Sequence, residues 1–186
     1  MVAPHKAWVA LACALVLHLS CSSTRERPTL IVSGQSVAAP LARALSERAT
    51  VIGVQLSAQP IAFWDDDGEG WRRLAAAIDG HREAAAFVWC QGENDVKLPA
   101  GEYRRRLAWL VQRVRARTRP ELPLRLCELG PLARHDVIKA EQAAYLANDP
   151  LAKIIPTNDL PFESDAIHPT PAAYLALSAR VLASIE

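Results

Sequence analysis

No stretch of this sequence holds the roughly eighteen uncharged apolar residues that a bilayer-spanning helix needs. Nor is there an excess of either charge. The 21 Lys+Arg stand against 20 Asp+Glu, a formal net charge of +1, which argues against a strongly basic nucleic-acid binder. Gly-rich phosphate-cradling loops and zinc-ligand spacings are missing. The acidic run Asp65-Asp66-Asp67-Gly68-Glu69 lacks the alternating ligands and distal Glu of a calcium loop, so it reads as a solvated loop. No internal repeat and no long low-complexity tract is found. The composition is 51% hydrophobic and 22% charged, which excludes disorder as the main state, and 186 residues fit one domain.

The N-terminus reads as an address. His5 and Lys6 form a short polar start, residues 7–19 an apolar run, and Ser20-Cys21 precedes the polar stretch 22–27. Residues 1–20 are expected to be a signal peptide resembling those of bacterial lipoproteins. Cys21 is then the lipidation site, 21–27 a tether and 28–186 the folded domain. The position three before the Cys, where that pattern favours Leu, is His18. Plain secretion with nearby cleavage is the alternative. Either way the protein is expected in the bacterial envelope, touching membrane only through the lipid. Export would put Cys90 and Cys127 in a disulfide-permissive compartment, as a bridge or as two buried thiols at strand ends.

Short apolar runs at 29–32, 51–54, 86–90, 124–127 and 153–155 alternate with segments of helical spacing. Several runs are continuously apolar and β-branched, as strands covered on both faces are. Tyr103, Leu107, Leu110, Val111 and Val114 mark one helix face, and Arg104, Arg105, Arg106, Arg113, Arg115 and Arg117 an opposite, solvated one. Thr170 and Pro171 read as the cap and first residue of a last helix, buried through Tyr174, Leu177, Val181, Leu182 and Ile185. This alternation predicts an α/β fold with a parallel sheet between helical layers, its chemistry beyond the C-terminal strand ends.

The junctions carry the candidate residues. Ser36 follows Gly34 and Gln35 after the first run, where a helix N-terminus favours developing negative charge. Gln91, Gly92, Glu93, Asn94 and Asp95 follow the third run. A polar run directly off a buried strand is costly unless its groups are satisfied or used. Asp165 and His168 are three residues apart, so one turn brings carboxylate to imidazole.

Taken together these blocks resemble the SGNH hydrolase superfamily. Gly92-Glu93-Asn94-Asp95 matches its Gly-x-Asn-Asp block, and Asp165-Ala166-Ile167-His168 its Asp-x-x-His block. Within it the chain looks most like the carbohydrate esterases that hold sialate O-acetylesterases and acetylxylan esterases. The features are Gly34-Gln35-Ser36, Trp89 with Gln91-Gly92-Glu93, and Pro60-Ile61 followed by Trp64. The resemblance runs from Thr29 to the C-terminus.

It implies a three-layer sandwich around a five-stranded parallel sheet, of the flavodoxin-like SGNH kind. It implies a serine esterase taking acetyl from sugar hydroxyls, with Ser36 as nucleophile, His168 as base and Asp165 orienting it. The oxyanion would meet the backbone N–H groups of Ser36 and Ala58 and the side-chain amide of Gln91 or Asn94. Gly34, Gln35, Gly92 and Glu93 would support the site. No cofactor, metal or partner chain is implied, only a small-molecule or glycan ester and a monomer. Trp64, Trp71 and Trp89 offer faces for sugar rings, with core packing the competing role. A lipase-like or peptidoglycan O-acetyl esterase, a Cys90 thiol nucleophile and a non-catalytic glycan-binding module are the rival readings. Two positions depart from the pattern: Val37 replaces the usual Asn, and Ser57-Ala58 replaces a glycine pair, which would strain the chain if φ must be positive there.

Overall fold

The structure, a computed structural model, describes residues 26–65 and 68–186. The expected signal peptide, Cys21, the tether up to residue 25, and Asp66 and Asp67 of the acidic loop lie outside the described residues.

Five strands form one parallel sheet: β1 (Thr29–Gly34), β2 (Thr50–Ile52), β3 (Ala86–Cys90), β4 (Leu124–Cys127) and β5 (Ala152–Ile155). Their spatial order is β2-β1-β3-β4-β5. Chain order therefore reverses direction across the sheet between β1 and β3, and the crevice opens above that reversal. Strands β1, β3 and β4 are buried nearly end to end, which explains their unbroken apolar runs.

Side chains alternate between two cores. Ile31, Phe87, Trp89, Leu124 and Leu126 face helices α2 (Glu69–Ile78), α3 (Glu102–Arg117) and α4 (Asp136–Leu146). Leu30, Val32, Val88, Cys90 and Cys127 face α1 (Ala38–Leu45) and α5 (Pro171–Ala183). Thr170 caps α5 by accepting from the Ala173 N–H at 3.4 Å, with Pro171 at the first position as expected.

Two expectations are corrected. Trp64, Trp71 and Trp89 are not sugar platforms: Trp64 and Trp89 are fully buried and Trp71 is 3% exposed. Trp64 meets Trp89 edge to face at 5.1 Å, and Arg113 lies 4.8 Å from the centre of the Trp71 ring. The arginine face of α3 is not simply solvated either. Arg105 and Arg106 pair with Glu102, Arg106 also reaches Asp65, and Arg115 pairs with Asp149 at 2.9 Å. Guanidinium groups satisfy planar acceptors and cover aromatic faces while their stems pack, so this face is committed to tertiary contacts.

Candidate active site

The nucleophile turn forms where β1 meets α1. Gly34 has φ +138°, and a Cβ there would lie 2.0 Å from the Cys90 carbonyl oxygen, so only glycine lets β1 run this close to β3. The next residue, Gln35, donates its N–H to that carbonyl at 2.8 Å. Its buried side chain reaches across the crevice, where its Oε1 accepts from the Gly92 N–H at 3.1 Å. Ser36 is thus fixed at the entrance to α1, between turns that are locked to one another.

Asp165 and His168 arrive on the loop before α5. Asp165 Oδ1 accepts from the N–H groups of Ile167 (2.8 Å) and His168 (3.0 Å), and Oδ2 lies 2.6 Å from His168 Nδ1. Ala166 takes φ +54° inside this turn. Those hydrogen bonds, led by the His168 N–H and followed by its ring, hold the Asp165 carboxyl well below the usual carboxylate range. Because an ionised carboxylate only accepts, the ring proton sits on Nδ1 and Nε2 is left as an acceptor. Nε2 lies 2.8 Å from Ser36 Oγ. A continuous chain of hydrogen bonds therefore joins Asp165, His168 and Ser36.

The loop after β3 is built on a buried polar lattice. The Gln91 carbonyl accepts from Tyr103 Oη at 2.8 Å. The Gln91 side chain is fully buried, and its amide donates to Asp95 Oδ2 and to the Gln59 carbonyl at 3.4 Å. Asp95 in turn accepts from the Ile61 N–H through both oxygens at 3.1 Å. Asp95 thereby connects the loop after β3 to the segment carrying Ala58. Burial pushes the Asp95 carboxyl up, against the hydrogen bonds from Gln91 and Ile61. Glu93 is also pushed up by burial, and its Oε2 has no hydrogen-bond partner among the described residues. Asn94 is exposed on the same turn.

Ala58 has φ +59°. The positive φ that the family's glycine would provide is present here, and alanine adopts it at a cost of about 1–2 kcal/mol. Cys90 does not suit a thiol nucleophile: it is 2% exposed, and burial raises its thiol pKa well above the ordinary value. Among the described residues no cluster of His, Cys, Asp and Glu could hold a metal.

Comparison with known families places this geometry. Residues 6–185 match the profile of the carbohydrate esterase family described as sialic acid-specific acetylesterase. The chain belongs to this family. It is a carbohydrate esterase of the SGNH superfamily, and its parallel sheet recurs in solved structures. A protein from Arabidopsis thaliana superposes with TM-score 0.72 at 17% identity, covering 86% of this chain and 97% of its own. A provisionally named SGNH hydrolase from Slackia heliotrinireducens gives 0.64 at 18% identity, covering 85% and 98%. A carbohydrate acetylesterase from Xanthomonas citri gives 0.58 at 18% identity, covering 78% of this chain and 41% of its own. No curated protein sequence matches the esterase significantly.

The residues that sequence reasoning singled out divide by position. Ser36, Asp165 and His168 come together, and Gly34, Gln35, Gly92 and Gln91 form the floor around them. Asp95 was assigned only a general orienting role, although it joins two loops. Its partner Ile61 lies 34 residues away, a distance that no local pattern spans. The available signal was a carboxylate immediately after a buried strand, which demands partners.

Proposed function

We propose that the esterase removes acetyl groups from carbohydrate hydroxyls through a Ser36–His168–Asp165 triad. The observation that carries this reading is the hydrogen-bond chain with Ser36 Oγ at 2.8 Å from His168 Nε2 and Asp165 Oδ2 at 2.6 Å from Nδ1. Ser36 Oγ attacks the ester carbonyl as its proton passes to Nε2. The imidazolium that forms faces an ionised Asp165. Collapse of the tetrahedral intermediate expels the sugar alkoxide, which takes the proton from His168. Water, deprotonated by the same nitrogen, then hydrolyses acetyl-Ser36 to acetate.

The backbone N–H groups of Ser36 and Ala58 are the proposed oxyanion donors, with a side-chain amide as the third. The amide N–H groups of Gln91 already face Asp95 and Gln59, while Asn94 is exposed. Comparing Gln91→Ala with Asn94→Ala separates the two: the variant that loses about 2.7–4 kcal/mol of transition-state stabilisation has lost the donor.

The deciding experiment is hydrolysis of 4-nitrophenyl acetate by the full chain beside Ser36→Ala and His168→Ala. Each variant is expected to lose activity by on the order of 10⁴ or more while its circular dichroism stays unchanged. Equal turnover by all three proteins, or none by the parent, overturns the triad. Acetylated sugars and longer-chain lipid esters run in parallel test the acyl and alcohol preference. Glycan binding without turnover, unchanged in Ser36→Ala, would indicate a binding module instead.

A further inference from the structure

Cys90 ends β3 and Cys127 ends β4. The strands pair in parallel with Trp89 opposite Leu126, so the two cysteines are the next positions along the register. Paired positions on neighbouring strands send their side chains to the same face. Both thiols accordingly enter the core packed against α1 and α5. Each residue is 2% exposed, and the Sγ atoms lie 2.7 Å apart.

Adjacent strands hold their backbones about 4.8 Å apart, inside the Cα separation of roughly 4.4–6.8 Å that a disulfide requires. Two unbonded sulfurs do not rest so close in an interior packed at van der Waals contact. Neither thiol serves another purpose that the structure reveals: both are sealed from substrate, and no metal cluster includes them among the described residues.

We infer that Cys90 and Cys127 are a disulfide-forming pair that fastens β3 to β4 beneath the active site. The oxidant is an external disulfide, of a small thiol or of a protein. One cysteine thiolate attacks it, giving a mixed disulfide and releasing one thiol. The second thiolate then attacks the bound cysteine sulfur and releases the other thiol. Two thiols of the esterase are oxidised, one external disulfide is reduced, and the two protons leave on the departing thiols. Exchange requires a thiolate, and burial suppresses it at Cys90 in the folded state. The bond therefore closes in the incompletely packed chain and is shielded once α1 and α5 are in place.

The bridge would lie directly under the chemistry. The Cys90 carbonyl holds the Gln35 N–H, and the residue after Cys127, Glu128, accepts from the Thr157 N–H at 2.9 Å. Covalent closure would keep the ends of β3 and β4 from parting below the Ser36 turn.

The test refolds the full chain in a mixture of oxidised and reduced glutathione, alkylates it with iodoacetamide in denaturant and digests it with trypsin. Cys90 falls in peptide 83–97, Cys127 in 126–134, and Cys13 and Cys21 together in 7–25. The expected product is 83–97 joined to 126–134, lighter by two hydrogens than their sum and split by reductant. Recovery of both peptides separately alkylated overturns the inference. As a second readout, dithiothreitol should lower the melting temperature of the parent by on the order of 10 °C, with no such effect on the Cys90→Ser/Cys127→Ser double variant. An equal melting temperature of the parent with and without reductant overturns the fastening role.

Discussion

Ala58 bears the clearest conflict between residue type and backbone. Its φ of +59° suits glycine, and the N–H it presents is a proposed oxyanion donor. Ala58→Gly relieves the left-handed strain but loosens the unfolded chain, so the expected gain is about 0.5–1 kcal/mol, read by urea unfolding. Asp165 sets a second test. Asparagine there can keep its oxygen on the Ile167 and His168 N–H groups, but it turns an amide donor toward Nδ1 and selects the wrong ring tautomer. Asp165→Asn should lower kcat by on the order of 10³–10⁴ with stability little changed at this exposed position. Asp95→Asn is the third. Its oxygen can still accept from Ile61, while its new NH₂ opposes the Gln91 amide. The expected result is a 10- to 100-fold fall in kcat with KM nearly constant, about 1.4–2.7 kcal/mol in the transition state.

Elements were legible where their own residues decide them. Strands β3 and β4 match their apolar runs, because full burial on both faces leaves no polar interruption to blur the ends. Strand β2 stops at Ile52 although the apolar run continues to Val54. Gly53 takes φ +124° and turns the chain, after which Val54 donates to Ser33 Oγ instead of extending the ladder. The triad order was readable because Asp165 and His168 are local to one another and Ser36 follows a strand. The lattice of Gln35, Gln91 and Asp95 was not, since its partners are brought together only by the order of the strands. The arginines of α3 were misread as solvated for the same reason: Asp149 lies 34 residues beyond Arg115. That contact ties α3 to the turn before β5. Burial raises the Asp149 carboxyl, but hydrogen bonds from Arg115, Tyr145 and the Leu151 N–H outweigh it and leave it below the usual range. Asp149→Asn should cost about 1.5–3 kcal/mol at neutral pH.

Across the whole molecule the acidic groups pull stability in opposite directions. Asp149 and Asp165 are held below their unfolded values, so the stability they contribute is full above about pH 4 and is lost as pH falls through their folded values. Glu93 and Asp95 are raised by burial. Their ionised forms oppose folding at neutral pH, and that cost is relieved as pH falls through their folded values toward about pH 4. Denaturant midpoints measured against pH should therefore rise on mild acidification and fall below about pH 4. Glu93→Gln should diminish the rise and leave the fall in place.

The loop before α5 pairs Phe162 with Pro169 and encloses Asp165 and His168, with each oxygen of Asp165 bonded inside the loop itself. The acid–base half of the site is thus a cassette whose internal geometry owes little to the sheet. Such a cassette needs only to be delivered to a serine at a helix entrance. Rim segments elsewhere in the chain are free to lengthen, shorten or exchange during evolution while the proton relay stays intact, and the range of esters accepted can change without rebuilding the chemistry.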